Sequence, residues 1–443
     1  MSDKQEKKGL DISVKSFVTA ILVLMVLMVG TYLLTVVIPG SGGIAIWKWI
    51  LSPILLLGAD GSGTIIAVIA FLLVVGGVFN GLEKGGLMKY MLGRIVARFG
   101  KARYRLMAMI VLFFMAMGAF IGSFEECVPL VPLAVGLAAS LGWDALTGLG
   151  MSLLAAGCGF ASGVSNPFTV GVAQELVGLS MFSGLWLRLF SFALIYGLLM
   201  LFLQSHAKKI ERPLMLTMEQ SSELRPEMNR GLWCFAGILG VGILLVFCSA
   251  VFPALQDLTI VIVALMFLVA GIAATLVSGM SGRDLGKHFV NGLVSILPAV
   301  AMILMASSIR YTMEEAGILS IILEAAVEVA RTLPKWVVIL FIYLLVLVMN
   351  FFISSGSAKA FLLMPLIAPL AEVFGISAQL CVVAFAFGDG FSNVFYPTNP
   401  VLLISLGLAD VSYGKWVKWS WKFQVMNLVL TGLVLLFGLV VGY

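Results

Sequence analysis

Two stretches of this sequence place small polar side chains inside otherwise apolar surroundings. The first is Ser162-Gly163-Val164-Ser165-Asn166-Pro167, continuing through Phe168-Thr169 to Gln174; the second is Ser392-Asn393-Val394-Phe395-Tyr396-Pro397-Thr398-Asn399-Pro400. Proline removes a backbone donor and Gly163 relaxes the chain, so both stretches read as interruptions of apolar helices. At an interruption, half-helix ends aim amides at anions and carbonyls at cations without any permanent charge. Ser165, Asn166, Thr169, Ser392, Asn393, Thr398 and Asn399 add short neutral ligands. That chemistry suits reversible binding of a small ion or metabolite, and Na+ is a candidate beside Ser165, Asn166, Ser392 and Asn393. The plainer alternative is that Ser and Asn only cap broken helices.

Charged groups add to the pattern. Ser123, Glu125 and Glu126 lie at the centre of one apolar region, and Ser355, Ser357 and Lys359 at the centre of another. A carboxylate in hydrocarbon costs a few kcal/mol on insertion scales and seldom persists without a partner, so Glu125 and Glu126 read as ligands. Alternatively their turn is shallow and both reach interfacial water, or one pairs with Lys359. Lys359 is a carboxylate anchor, a counter-charge or a snorkelling side chain; Asp389 suits a cation or an amino group. Glu83 and Glu314 read as structural, and His206 and His288 as surface residues without metal spacing. The five cysteines lack paired spacing, so no disulfide framework or CxxC site is expected.

What positions these groups is a membrane. The 443 residues are 61% hydrophobic and 11% charged, with a mean hydropathy of +1.12, too apolar to cover a globule in water. Runs able to cross about 30 Å of hydrocarbon occur at Phe17 to Ile38, Thr64 to Gly81, Leu185 to Gln204, Leu232 to Phe252, Leu258 to Gly279, Val290 to Ile309 and Trp421 to Gly442. Phe17 to Ile38 is too long for a signal-peptide core and should remain as the first span. The basic segment Lys84 to Arg105 belongs in the cytoplasm by the positive-inside rule, as does the N-terminus.

The expected fold is an all-α polytopic membrane protein with about nine transmembrane helices, two re-entrant helical hairpins and two discontinuous helices. Landmarks recur at offsets of 227 to 233 residues: Glu83 with Glu314, Gly86 with Gly317, Phe120 with Phe351, Pro132 with Pro365, Gly142 with Gly375, Ser165-Asn166 with Ser392-Asn393, and Trp186 with Trp416. Their shared order implies an internal duplication of inverted orientation. Residues 1–16 are then a cytoplasmic tail. Residues 17–204 are a first repeat, with a hairpin at about 106–141 and a broken helix at about 146–179. A cytoplasmic linker (205–230) and a linking transmembrane helix (231–257) lead to a second, inverted repeat (258–443), with a hairpin at about 336–372 and a broken helix at about 376–408. The C-terminus falls in the periplasm.

The segments Gly159 to Gln174 and Gly388 to Asn399, with Glu125-Glu126 and Ser357-Ala358-Lys359, resemble the YfcC family of carriers, which is grouped with anaerobic C4-dicarboxylate carriers in the ion-transporter superfamily. The resemblance implies secondary active transport across a bacterial inner membrane by symport or antiport. It also implies a scaffold and a moving transport domain, often as a homodimer, with cargo that is either a dicarboxylate or a basic amino acid. One lysine against Glu125, Glu126 and Asp389 favours an amino acid such as arginine or ornithine over a dianion. Na+ or H+ is the expected coupling ion, with no prosthetic cofactor and no nucleic acid partner; lipid and a small molecule are the partners. No HExxH, GxSxG or Walker A sequence is present, so an integral-membrane enzyme is the remote alternative, along with a channel.

Overall fold

The computed structural model describes residues 14–59, 62–122, 124–180, 183–212, 226–251 and 259–443. Most of the expected tail, the centre of the linker, the end of the linking helix and Ser123 lie outside the described residues. Among those described, the chain forms helices and no strands, which satisfies backbone polar groups within each segment, as lipid demands.

The chain opens with α1 (Val14–Val37), a short α2 (Ile46–Leu55) and α3 (Ser62–Lys84). Next come α4 (Leu87–Phe99) and α5 (Arg103–Ala116), which closes in a π-helical turn, Met117–Ile121. A 3-10 turn at Glu125–Leu130 leads into α6 (Val131–Ser140). The short α7 (Ala145–Leu149) runs through a π-helical turn at Gly150–Leu154 into α8 (Ala155–Ser162). After a break, Pro167–Gly171 forms another π-helical turn before α9 (Val172–Leu176). Then follow α10 (Leu185–Ile210), α11 (Pro226–Val251), α12 (Thr259–Val277) and α13 (Gly282–Glu315). The chain finishes with α14 (Ile318–Ala330), α15 (Lys335–Phe352), α16 (Gly356–Val373), α17 (Ala378–Ser392), α18 (Pro400–Leu408) and α19 (Tyr413–Val441).

One order of elements occurs twice, from α3 to α10 and from α13 to α19: a long helix, a short amphipathic helix, two arms joined by a tight turn, a broken helix and a long helix. Glycines mark the same corners in both. Gly86 (φ +74) and Gly317 (φ +70) precede the amphipathic helices, and Gly142 (φ +86) and Gly375 (φ +63) follow the second arms. A β-carbon disfavours these left-handed angles, which explains why glycine stands at both members of each pair.

Nine helical stretches among the described residues are long and apolar enough to cross a bilayer: Ala20–Val37, Ile65–Lys84, Leu87–Ile121, Ala145–Leu176, Leu185–Ile210, Gly282–Glu315, Lys335–Phe352, Gly356–Val373 and Tyr413–Val441. They include both arms α15 and α16, while Val261–Val277 is shorter. Length therefore does not separate an arm from a span. Outward faces are apolar, with Val26 at 71% and Val440 at 85% exposure; such surface is a liability in water and ordinary lipid contact in a bilayer. The chain is a multi-pass membrane protein.

Packing falls into two groups, α1 to α3 with α11 to α13, and α5 to α10 with α15 to α19. Small residues set the close approaches, as they do between helices in lipid. Gly76 and Gly292 bring α3 and α13 backbone to backbone, and a β-carbon on Gly390 of α17 would collide with the backbone of Ala161 in α8. Likewise, Gly159 of α8 lies against the Met115 carbonyl of α5. The basic segment Lys84 to Arg105 is largely helical. Most of it is α4, which buries Leu87, Met91 and Val96. His206 is not a plain surface residue: it bonds Asp144 at 3.2 Å from the last turns of α10. Burial pushes the Asp144 carboxyl up, but hydrogen bonds from His206 and Thr147 outweigh it and hold the group below its ordinary value.

Candidate functional site

At the first break, Ser165 is tied to the π-helical turn that ends α5: its N–H donates to the Ala119 carbonyl at 3.0 Å and its hydroxyl to the Phe120 carbonyl at 3.2 Å. Asn166 caps the next helical turn, its Oδ1 accepting from the Phe168 N–H at 3.0 Å. A β-carbon at Gly122 would strike that same oxygen, so the first tip is seated directly on Asn166. Capping thus occupies Asn166 Oδ1, yet its Nδ2 is buried without a partner. Thr169, one turn on, is fully buried with an unpartnered Oγ1. Arg188 of α10, also fully buried, donates to the Val164 carbonyl at 3.1 Å and to the Ser183 carbonyl at 2.9 Å. It thereby satisfies backbone exposed by the interruption.

The second break is organised by Asn350, the third-last residue of α15. Its Nδ2 lies within hydrogen-bond distance of the Asp389 carbonyl (3.0 Å), Ser392 Oγ (2.7 Å) and Asn393 Oδ1 (2.9 Å). Two protons facing three acceptors leave one acceptor to other donors, and Asn399 Nδ2 supplies Asn393 Oδ1 at 3.0 Å. Asn399 Oδ1 caps α18 through the N–H of Val401 (3.0 Å), while Thr398 Oγ1 is buried and unpartnered. Lys359, in the first turn of α16, places Nζ against both Asn350 Oδ1 and Asp389 Oδ1, with neither charged side chain exposed to any degree. The lysine is thus taken by Asp389, not by a glutamate.

The tips and breaks meet. Ser355 caps α16 through the Ala358 N–H at 3.4 Å. The next residue, Gly356, is packed on both halves of the chain: its β-carbon position lies 2.7 Å from Asp389 Oδ2 and close against the Thr169 methyl. Ser357 stands half-buried beside them. Glu125 is half-buried at the start of its 3-10 turn, and Glu126 is buried with Oε2 unpartnered. Glu126 feels the charge of Glu125, and Glu125 that of Asp389. The described residues at the tips and breaks therefore include six with a buried polar atom lacking a partner, Glu126, Asn166, Thr169, Arg188, Asp389 and Thr398. Leaving such an atom unsatisfied costs about 1–3 kcal/mol each, a deficit that a polar ligand at this convergence would relieve. No cluster of three or more His, Cys, Asp or Glu at metal-binding spacing occurs among the described residues.

Sequence reasoning passed over Asn350 and Arg188. Both carried a usable signal, since each is a lone polar residue in an apolar run, the kind lipid tolerates only where it has work to do. Gln424 and Asn427 of α19 are two more, buried with unpartnered amide atoms.

Comparison with known proteins bears on what this arrangement serves. A family described as the C4-dicarboxylate anaerobic carrier, DcuC, matches residues 52–440. An Escherichia coli (strain K12) protein named "Putative basic amino acid antiporter YfcC" is 28% identical over 400 residues, covering 86% of this chain and 79% of that protein. An uncharacterized protein of Haemophilus influenzae is 25% identical over 389 residues, covering 85% and 76%. Among solved structures, the Alcanivorax borkumensis YdaH transporter aligns with a TM-score of 0.48 at 18% identity, over 96% of this chain and 99% of its own. Neisseria gonorrhoeae MtrF, of a class of antimetabolite efflux pumps, aligns at 0.46 and 16%, over 94% of each. With the family match running across nearly the whole chain, both breaks and both tips included, this membrane protein belongs to the C4-dicarboxylate anaerobic carrier family.

Proposed function

We propose that the chain is a secondary active carrier, an elevator-type symporter or antiporter, moving a small carboxylate-bearing metabolite across the cytoplasmic membrane, with an amino acid such as arginine or ornithine as the favoured cargo. The observation that carries the cargo is the charge at the convergence. Glu125, Glu126 and Asp389 gather there with one lysine, and the second buried cation, Arg188, spends Nε and Nη2 on backbone carbonyls and keeps Nη1 unpartnered. A cargo bringing its own positive charge relieves that excess; a dianion adds to it. The name of the E. coli relative points the same way. A C4-dicarboxylate is the second reading, favoured by the family's description.

The recurring order of elements and the paired glycine corners support reading residues 17–204 and 258–443 as inverted repeats, with α5–α6 and α15–α16 as re-entrant hairpins. In that reading the N-terminus is cytoplasmic and the C-terminus periplasmic. The two packing groups fit a scaffold and a moving transport domain, and the carrier works as a homodimer. Coupling falls to Na+ near Ser165, Asn166, Ser392 and Asn393, or to H+ at the carboxylates.

Uptake of labelled arginine, ornithine, succinate and malate into proteoliposomes, repeated without sodium and with the proton gradient collapsed, tests cargo and coupling together. Saturable counterflow of arginine or ornithine is expected. Transport of succinate alone would reject the amino-acid cargo, and flux without saturation would reject a carrier.

A further inference from the structure

We propose that the Lys359–Asp389 ion pair is an internal stand-in for the head group of an α-amino acid, and that a zwitterionic cargo binds by splitting it. The cargo's carboxylate takes Lys359 and the first amides of α16, and its ammonium takes Asp389. The inference rests on the amino-acid reading above and narrows it.

Lys359 sits in the first turn of α16, where the aligned peptide dipoles make a cation unwelcome and an anion welcome. Asp389 and Asn350 are what hold it there. The N–H groups of Gly356 and Ser357 open that helix and have no acceptor within it. A carboxylate arriving at this end therefore meets a lysine and free amides together. On the other side of the pair, Asp389 spends one oxygen on Lys359 and keeps Oδ2 unpartnered, and Thr169 Oγ1, beside the same Gly356, is unpartnered as well. Both are acceptors, suited to an ammonium.

Exchange of partners leaves no buried charge alone: Lys359 trades one carboxylate for another while Asp389 trades one ammonium for another. A cargo with only one of the two charges strands either Lys359 or Asp389 in an apolar site. The pair is sealed in this structure, so entry requires the α16 tip to draw Gly356 away from Thr169 and Asp389.

Competition against labelled arginine tests this in the wild-type protein. Agmatine lacks the carboxylate and 5-guanidinopentanoate lacks the α-amine; each is expected to compete about a hundredfold less well than arginine. The double variant Lys359→Met/Asp389→Asn, which removes both charges, is expected to recover most of the unfolding temperature that Lys359→Met alone loses and to lose arginine binding by a similar factor. Either analogue competing within about threefold of arginine, less than a tenfold step in affinity, would overturn the inference while leaving an amino-acid carrier in place. Wild-type arginine binding in the double variant would overturn it as well. Succinate transport with no arginine binding would overturn both the inference and the cargo reading.

Discussion

Lys359→Met is expected to abolish uptake and to lower stability by about 3–5 kcal/mol, the cost of leaving one buried charge without its partner. The magnitude follows from position: both side chains of the Lys359–Asp389 pair are fully buried, and Asp389 Oδ2 already lacks a partner, so removal of Nζ leaves the carboxylate only its neighbours' dipoles. Adding Asp389→Asn should restore most of the stability, because an amide can share hydrogen bonds with Asn350 and carries no charge. Thermal unfolding in detergent reads the stability and proteoliposomes read uptake. A single variant as stable as the wild type would mean that the pair is not what holds the α16 tip to α17.

Gly390→Ala is the second large effect, on the order of 3 kcal/mol with loss of transport. The added methyl meets the Ala161 backbone, not a side chain that can swing aside, so α8 and α17 must part at the point where the two breaks adjoin. Asp389 and Ser392 move with that crossing. Gly197→Ala supplies the contrast: nothing lies within 4 Å of its β-carbon position, so replacement in the middle of α10 should change stability by no more than about 1 kcal/mol, in the stabilising direction. Equal effects at Gly390 and Gly197 would contradict the packing described here.

These two sites also show how far the sequence could be read. Pro167 and Pro400 announce interruptions because their chemistry is local, and the paired glycines announce corners because a left-handed angle excludes most other residues. Asn350 is different. Its partners Asp389, Ser392 and Asn393 lie about 40 residues away in sequence, and no local pattern says that an amide at the end of α15 will reach them. For the same reason the lysine's partner stayed open between Glu125, Glu126 and Asp389 until the fold placed α16 on α17. The π-helical turns before Gly122 and after Asn166 were illegible too, since they depend on how α5, α8 and α9 pack against one another. As for capping, it proved compatible with ligand binding at Asn166, whose oxygen caps a turn while its amide nitrogen lacks a partner.

In the proposed carrier, cargo binds where the two tips meet the two breaks. Ser357, half-buried on the α16 tip, can be made cysteine in a background with Cys127, Cys158, Cys234, Cys248 and Cys381 replaced. Its rate of modification by a membrane-impermeant thiol reagent in vesicles can then be followed with and without arginine. Saturating arginine should slow the reaction at Ser357→Cys and leave a control cysteine at the exposed Asp284, at the start of α13, unaffected. Unchanged labelling at Ser357→Cys in vesicles that do carry arginine would place the cargo elsewhere and contradict the account.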